Sequence, residues 1–168
     1  MIEQGMTVLY GSHGVCRVEG KVVQNLSNGK HEYYVLKPVY QASSTLFIPT
    51  DSEQLLSTVK EILSPDEIDD LLHSVKDEEP QWIENENIRK QSFSEILASG
   101  DRFRILMLIK SVYKHKTEVE TAGKKLHQSD EKSFKEAEKL LYDEFAVSLD
   151  INPSEVLNYI IGKISKAG

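Results

Sequence analysis

The chain has a single cysteine, Cys16, among 168 residues. That excludes an internal disulfide and any cysteine-rich zinc site. No apolar run approaches the ~20 residues that cross a bilayer as a helix, so no membrane partner is expected. No basic stretch followed by an apolar one stands near Met1, so no signal peptide is visible and a cytoplasmic location is expected. Glycine is scarce as a phosphate cradle: Gly11 and Gly14 form neither a P-loop nor a dinucleotide pattern. His31, His73, His115 and His127 are scattered without metal-ligand spacing. His13 and Cys16 are near enough in sequence to suggest a base and a nucleophile. They bracket a tight turn leading into a strand, however, where a cysteine packs as a small hydrophobe. No enzyme activity, cofactor or metal is expected.

What is present is enough apolar residue, 39%, for one or two domains with modest cores. The net charge of −7 argues against nucleic acid as a partner for the chain as a whole. The charge is uneven. Residues 1–60 set five basic against five acidic side chains, 61–100 three against eleven, and 101–168 twelve against eleven. Within the last stretch, residues 102–125 carry Arg102, Arg104, Lys110, Lys114, Lys116, Lys124 and Lys125 against Glu118 and Glu120, a net of +5. A local patch of this kind still acts on phosphates, because charges beyond ~10 Å are largely screened at ~0.1 M salt.

The residues from Gly5 to Thr50 alternate short β-branched and aromatic runs with Gly, Ser and Asn, the pattern of a small bent antiparallel sheet. Strands are expected at Val8–Tyr10, from Val15 to about Gln24, at Glu32–Lys37 and at Thr45–Ile48, with loops at 11–14 and 25–29. Pro49 stops ladder pairing, and Leu55–Leu63 has room for one more short strand. Helical patterning then takes over. Ser64-Pro65-Asp66-Glu67 is a helix start with a serine cap, proline in the first turn and acids at the positive end of the dipole. That helix runs to about Val75. Lys76–Gln81 is acidic and contains Pro80, so a hinge is expected there. A second helix spans about Asn85–Ser99 with Ile88, Phe93, Ile96 and Leu97 inward, closed by Gly100. A third, capped by Asp101, reaches about Thr121 with Ile105, Ile109, Val112 and Tyr113 on its apolar face. A fourth opens at Ser129 and buries Phe134, Ala137, Leu141 and Phe145. The last opens at Asn152-Pro153 and buries Val156, Tyr159, Ile160 and Ile164. The fold class is α+β: a small barrel over 1–63, a helix and acidic linker over 64–81, and an all-α domain of about four to five helices over 82–168.

The string from Gly5 to Gly14, with Val8, Tyr10 and His13-Gly14, resembles the opening of the CarD/CdnL family of bacterial transcription regulators. Tyr33-Tyr-Val-Leu36, Ile48-Pro49 and Ser99-Gly100-Asp101 follow in that family's order. The resemblance implies a Tudor-like N-terminal barrel that binds the beta subunit of RNA polymerase, related to the polymerase-interacting module of transcription-repair coupling factors. It also implies a helical domain that contacts promoter DNA beside the melted region and favours the open complex. The chain departs from the pattern at Met6 and Gly11, at Phe47, where some members have a polymerase-contacting arginine, and after Trp82. In relatives a tryptophan there wedges into the minor groove and basic residues follow it; here Ile-Glu-Asn-Glu-Asn follows.

Three groups of candidate residues result. Along Thr45, Leu46, Phe47, Ile48 and Pro49, strand alternation puts Leu46 and Ile48 on one face and Thr45 and Phe47 on the other. Both faces cannot be core, so Phe47 is expected outward, on an edge suited to polymerase. The second group is Arg104, Lys110 and Lys114, with Ser111, read as an outer helix face that follows phosphates; the alternative is an ordinary solvated face. The third is Trp82, either an apolar wedge against DNA or a side chain that packs the linker onto the helices. Two functions stay open: a polymerase-binding regulator that also contacts promoter DNA, and an adaptor that uses the barrel alone.

Overall fold

The computed structural model describes residues 2–41 and 43–164. The chain divides into two compact units, Met1–Ile62 and Leu63–Gly168.

The first unit is one five-stranded antiparallel sheet built from β1 (Thr7–Tyr10), β2 (Gly14–Leu26), β3 (Gly29–Pro38), β4 (Leu46–Pro49) and β5 (Val59–Glu61). Its spatial order is β4-β3-β2-β1-β5. Gly14, at φ 83°, lets β1 fold back into β2 after one 3-10 turn, a backbone geometry that a side chain would strain. The register slips between Val18 and Gly20, which bends the long β2–β3 ribbon. Val8, Tyr10, Cys16, Val18, Leu36 and Ile48 form the core, with Met6, Leu46, Leu56 and Val59 packed around it. The distal ribbon lies beyond this core, and Val23 and Leu26 there are exposed.

Two details differ from the sequence expectation. The ribbon keeps its ladder to Leu26, leaving only Ser27 and Asn28 as the loop, because Leu26 pairs with Gly29. The Leu55–Leu63 stretch is split. Ser52 caps a one-turn helix α1 (Glu53–Leu56) by accepting the Leu55 N–H at 3.3 Å, and only Val59–Glu61 pairs with β1.

Among the described residues the second unit holds five helices: α2 (Pro65–Lys76), α3 (Glu86–Ser99), α4 (Arg102–Thr121), α5 (Gln128–Leu149) and α6 (Pro153–Ile164). A full capping box starts α2, with the Ser64 hydroxyl accepting from the Glu67 N–H and the Glu67 carboxylate accepting from the Ser64 N–H. That second bond holds the Glu67 carboxyl below its ordinary range. Asn85 and Asp101 cap α3 and α4 with the side-chain acceptor alone, without the reciprocal bond. Gly100 ends α3 at φ 67°, and Asp150 ends α5 at φ 56°. α2 is packed into this unit: Ile68, Leu72 and Val75 are all buried there, in contact with α4, α5 and α6.

The buried faces of α5 and α6 include the expected Phe134, Ala137, Leu141, Phe145, Val156 and Ile160. α3 and α4 depart from expectation. Ile88 and Tyr113, read as core, are each 58% exposed, and Arg89 is 3% exposed instead. α4 packs on two sides, through Ile105, Leu108 and Val112 and through Leu106 and Ile109. Its open surface is therefore narrower than a single apolar stripe implies. α5 begins one residue before Ser129, whose hydroxyl is buried without a hydrogen-bond partner in the structure and does not cap the helix.

Candidate functional site

On the first unit the candidate residues lie at one edge of the sheet. β4 pairs with β3 through Leu46↔Leu36, Phe47↔Val35, Ile48↔Tyr34 and Pro49↔Tyr33. No described strand pairs with its other edge. Residues opposite one another in an antiparallel pair share a face. Leu46 and Ile48 therefore face the core with Leu36 and Tyr34, and Ile48 has no exposed surface. Phe47 stands on the opposite face with Val35 and Tyr33, and is 46% exposed. The Tyr33 ring meets it edge-on, centroids 6.2 Å apart. Thr45 is exposed one residue before the strand, and half-buried Pro49 closes it. This unit offers two aromatics and an unpaired edge on one rim.

The neighbouring His13 and Cys16 do different work. The His13 ring stacks on Tyr10 at 4.9 Å. Cys16 is fully buried and its Sγ lies 3.6 Å from the Gly14 carbonyl oxygen. Burial pushes the thiol up to about 11, which opposes the thiolate a nucleophile requires.

On the second unit the acidic segment 76–84 is fastened to α4 rather than hinged. Lys110 was expected on the open face; instead its ammonium donates to the carbonyls of Val75 at 2.9 Å, Lys76 at 3.2 Å and Glu78. It caps the C-terminal end of α2, where a cation offsets both orphan carbonyls and the helix dipole. Ser111, also expected outward, is buried and donates to the Gln81 carbonyl at 3.3 Å. Lys114 is exposed and faces Glu79 at 3.5 Å; an exposed pair of this kind contributes ~0–1 kcal/mol. Arg104 is exposed.

Trp82 is half-buried in the same segment. Its indole stacks on His115, with centroids 3.7 Å apart and planes at 9°. It meets Phe93 edge-on at 6.3 Å, and the Arg89 guanidinium carbon lies 4.5 Å from the ring centroid. Arg89 in turn binds both carboxylate oxygens of Asp130 at 2.8 Å and donates to the carbonyls of Ile83 and Glu84. A second ion pair joins Arg102 to Glu144 at 2.7 Å, and Glu144 also accepts the Leu63 N–H at 2.9 Å.

Sequence reasoning missed Arg89, Asp130 and Glu144. Arg89 and Glu144 stand beside apolar positions of their helices and Asp130 in a polar first turn, where an acid reads as dipole-facing, so nothing in the spacing distinguishes a buried charge from a solvated one. Among the described residues no cluster of His, Cys, Asp and Glu is arranged to hold a metal, and no helix is long and apolar enough to cross a membrane.

Comparison with known families now bears on these two surfaces. Residues 2–60 match the CarD-like/TRCF RID domain, and residues 68–161 match the CarD C-terminal domain. The chain belongs to the CarD family, whose domains are those of RNA polymerase-interacting, non-enzymatic transcription factors. No curated protein matches it.

Proposed function

We propose that this transcription factor binds the beta subunit of RNA polymerase through Thr45 and strand β4, and acts on promoter opening through α4. The observation that carries the first part is Phe47. A large aromatic, nearly half exposed on a strand edge beside Tyr33, is an interface anchor in search of a partner. Leu46 and Ile48 hold the strand from the core side, Thr45 and Phe47 make the contact, and Pro49, lacking an N–H, limits strand addition to the preceding residues.

For promoter DNA, the supporting observation is narrower than composition suggests. Arg104 is open to phosphates, and Lys114 is exposed but faces Glu79. Lys110 serves from beneath by fixing the 75–78 backbone, and Trp82, held against His115, anchors the segment rather than acting as a wedge. This same consumption of cations favours the second reading, an adaptor that works through the barrel without DNA.

Phe47→Glu tests the first part. Truncating an interface aromatic costs ~2 kcal/mol or more, so affinity for isolated beta subunit should fall about 30-fold with an unchanged melting temperature. Loss of melting stability together with binding would place Phe47 in a structural role and remove the basis for this edge.

A further inference from the structure

A concavity lies within the helical unit, bounded by the end of α2 and by α4, α5 and α6, with a volume of about 700 Å³. Leu106 and Ile109 of α4, Phe134 of α5 and Ile160 of α6 line it, and all four are buried. At its rim stand Tyr113, Leu157 and Ile161, which are 58%, 40% and 46% exposed. These three exposed side chains border an apolar interior. Single exposed apolar residues need no explanation; a hollow rimmed and lined by them does.

The polar groups at this hollow are of one dominant sign. Lys76, Lys110 and Lys116 border it against the single carboxylate of Glu138, in a chain whose net charge is −7. Burial first, and then the neighbouring Glu138 carboxylate, raise the Tyr142 hydroxyl above its ordinary range. Lys110 is committed to the α2 carbonyls. Lys116 is half-buried, and none of the ion pairs among the described residues includes it. A lysine that borders an apolar hollow lays its stem along the apolar wall and leaves its charge at the mouth, where an anionic head group can meet it.

We propose that this groove binds a small amphiphilic anion, a medium-chain alkyl carboxylate whose tail lies on Leu106, Ile109, Phe134 and Ile160 and whose head meets Lys116. The volume lies within the ~300–1,000 Å³ of small-molecule sites. One available cation beside an apolar groove suits one compact head group better than the distributed acids of a protein partner's helix. The site is independent of the polymerase-binding edge and of Arg104 and Lys114.

Calorimetric titration of the full chain with dodecanoate, below its micelle concentration, tests this. One saturable site is expected, with dodecanol bound about five-fold more weakly because it lacks the charge. Lys116→Ala should weaken dodecanoate to the level of dodecanol, while Lys135→Ala, which removes an exposed cation paired with Glu131, should change nothing. Ile161→Glu places a carboxylate on the exposed rim and should abolish binding; Leu157→Gln is the milder second variant if thermal melting shows that Ile161→Glu disturbs the fold. Amide shift changes on titration should cluster on the residues around Tyr113, Phe134 and Ile161. No saturable binding, binding unaffected by both rim variants, or shift changes elsewhere would overturn the proposal. So would binding of an acidic amphipathic peptide, or of anionic phospholipid vesicles, by a chain that ignores monomeric dodecanoate.

Discussion

Asp130→Ala is the sharpest perturbation of the helical unit. Arg89 and Asp130 are 3% and 1% exposed, and their fork-to-fork contact has two bonds of 2.8 Å. Removing the carboxylate leaves a guanidinium buried without its counter-charge, which costs ~3–5 kcal/mol. For a domain of about 100 residues, each kcal/mol shifts melting by at least ~4 °C, so the unit should melt at least ~12 °C lower. The assay is urea unfolding followed by circular dichroism and by fluorescence of Trp82. That residue is the only tryptophan and lies 4.5 Å from the Arg89 guanidinium carbon, so it reports this site directly. Replacing both partners, Arg89→Leu with Asp130→Leu, removes the stranded charge and should cost less than Asp130→Ala alone. What remains is the lost donor to the Ile83 and Glu84 carbonyls, ~1–3 kcal/mol. A loss under ~1 kcal/mol for Asp130→Ala, or a double variant costing the sum of its singles, would refute the reasoning.

Other expectations follow from the same contacts. Lys110→Met should destabilise the helical unit by ~1–3 kcal/mol, because carbonyls at the end of α2 lose a charged donor, while the salt dependence of promoter binding stays as it was; an unchanged stability would contradict the capping role. Cys16 should resist thiol reagents at pH 8 in the native chain and react at the free-thiol rate in urea. Its folded pKa, near 11, is raised above the unfolded value, so the folded state holds the proton longer. The stability this contributes is full below the unfolded pKa and fades as pH climbs toward 11; native labelling at the free-thiol rate would contradict its burial. Arg104→Glu with Lys114→Glu should flatten the salt slope of promoter association by about two units, one per phosphate contact, without changing beta-subunit affinity. An unchanged slope would favour the adaptor reading.

The strands and helices were largely legible because their signals are local. Alternation around Phe47 decides which side chains leave the core, and the Ser64, Asn85 and Asp101 caps mark helix starts by residue type and position. What the sequence concealed depends on contacts distant along the chain. Arg89 meets Asp130 and Arg102 meets Glu144 across separations of 41 and 42 residues. Apolar periodicity does not register such pairs, so Ile88 was read as core although its neighbour Arg89 is the buried residue. The acidic run before Trp82 reads as a hinge by composition, yet its backbone carbonyls are bound by Lys110 and Ser111. Carbonyls carry no sequence signature, so this fastening was invisible.

The same contacts revise what the basic stretch can do. Of its seven cations, Arg102 is engaged by Glu144, Lys110 by the end of α2, and Lys114 faces Glu79. None of the ion pairs among the described residues includes Arg104, Lys116, Lys124 or Lys125, and Lys116 borders the apolar groove. Seven phosphate contacts would give a salt slope near −6, whereas Arg104 and Lys114, the second of which must leave Glu79, would give about −2, since each contributes ~0.9. The proposed DNA contact is therefore of the weak kind. Such a contact gains force when another surface already holds the protein beside the promoter, because tethering turns a second binding event into an intramolecular one. Under this reading polymerase binding at Phe47 supplies the affinity, and α4 supplies the bias toward the opened duplex. A charge-reversed α4 should then impair promoter opening even when polymerase binding is saturated, and added protein should fail to restore it.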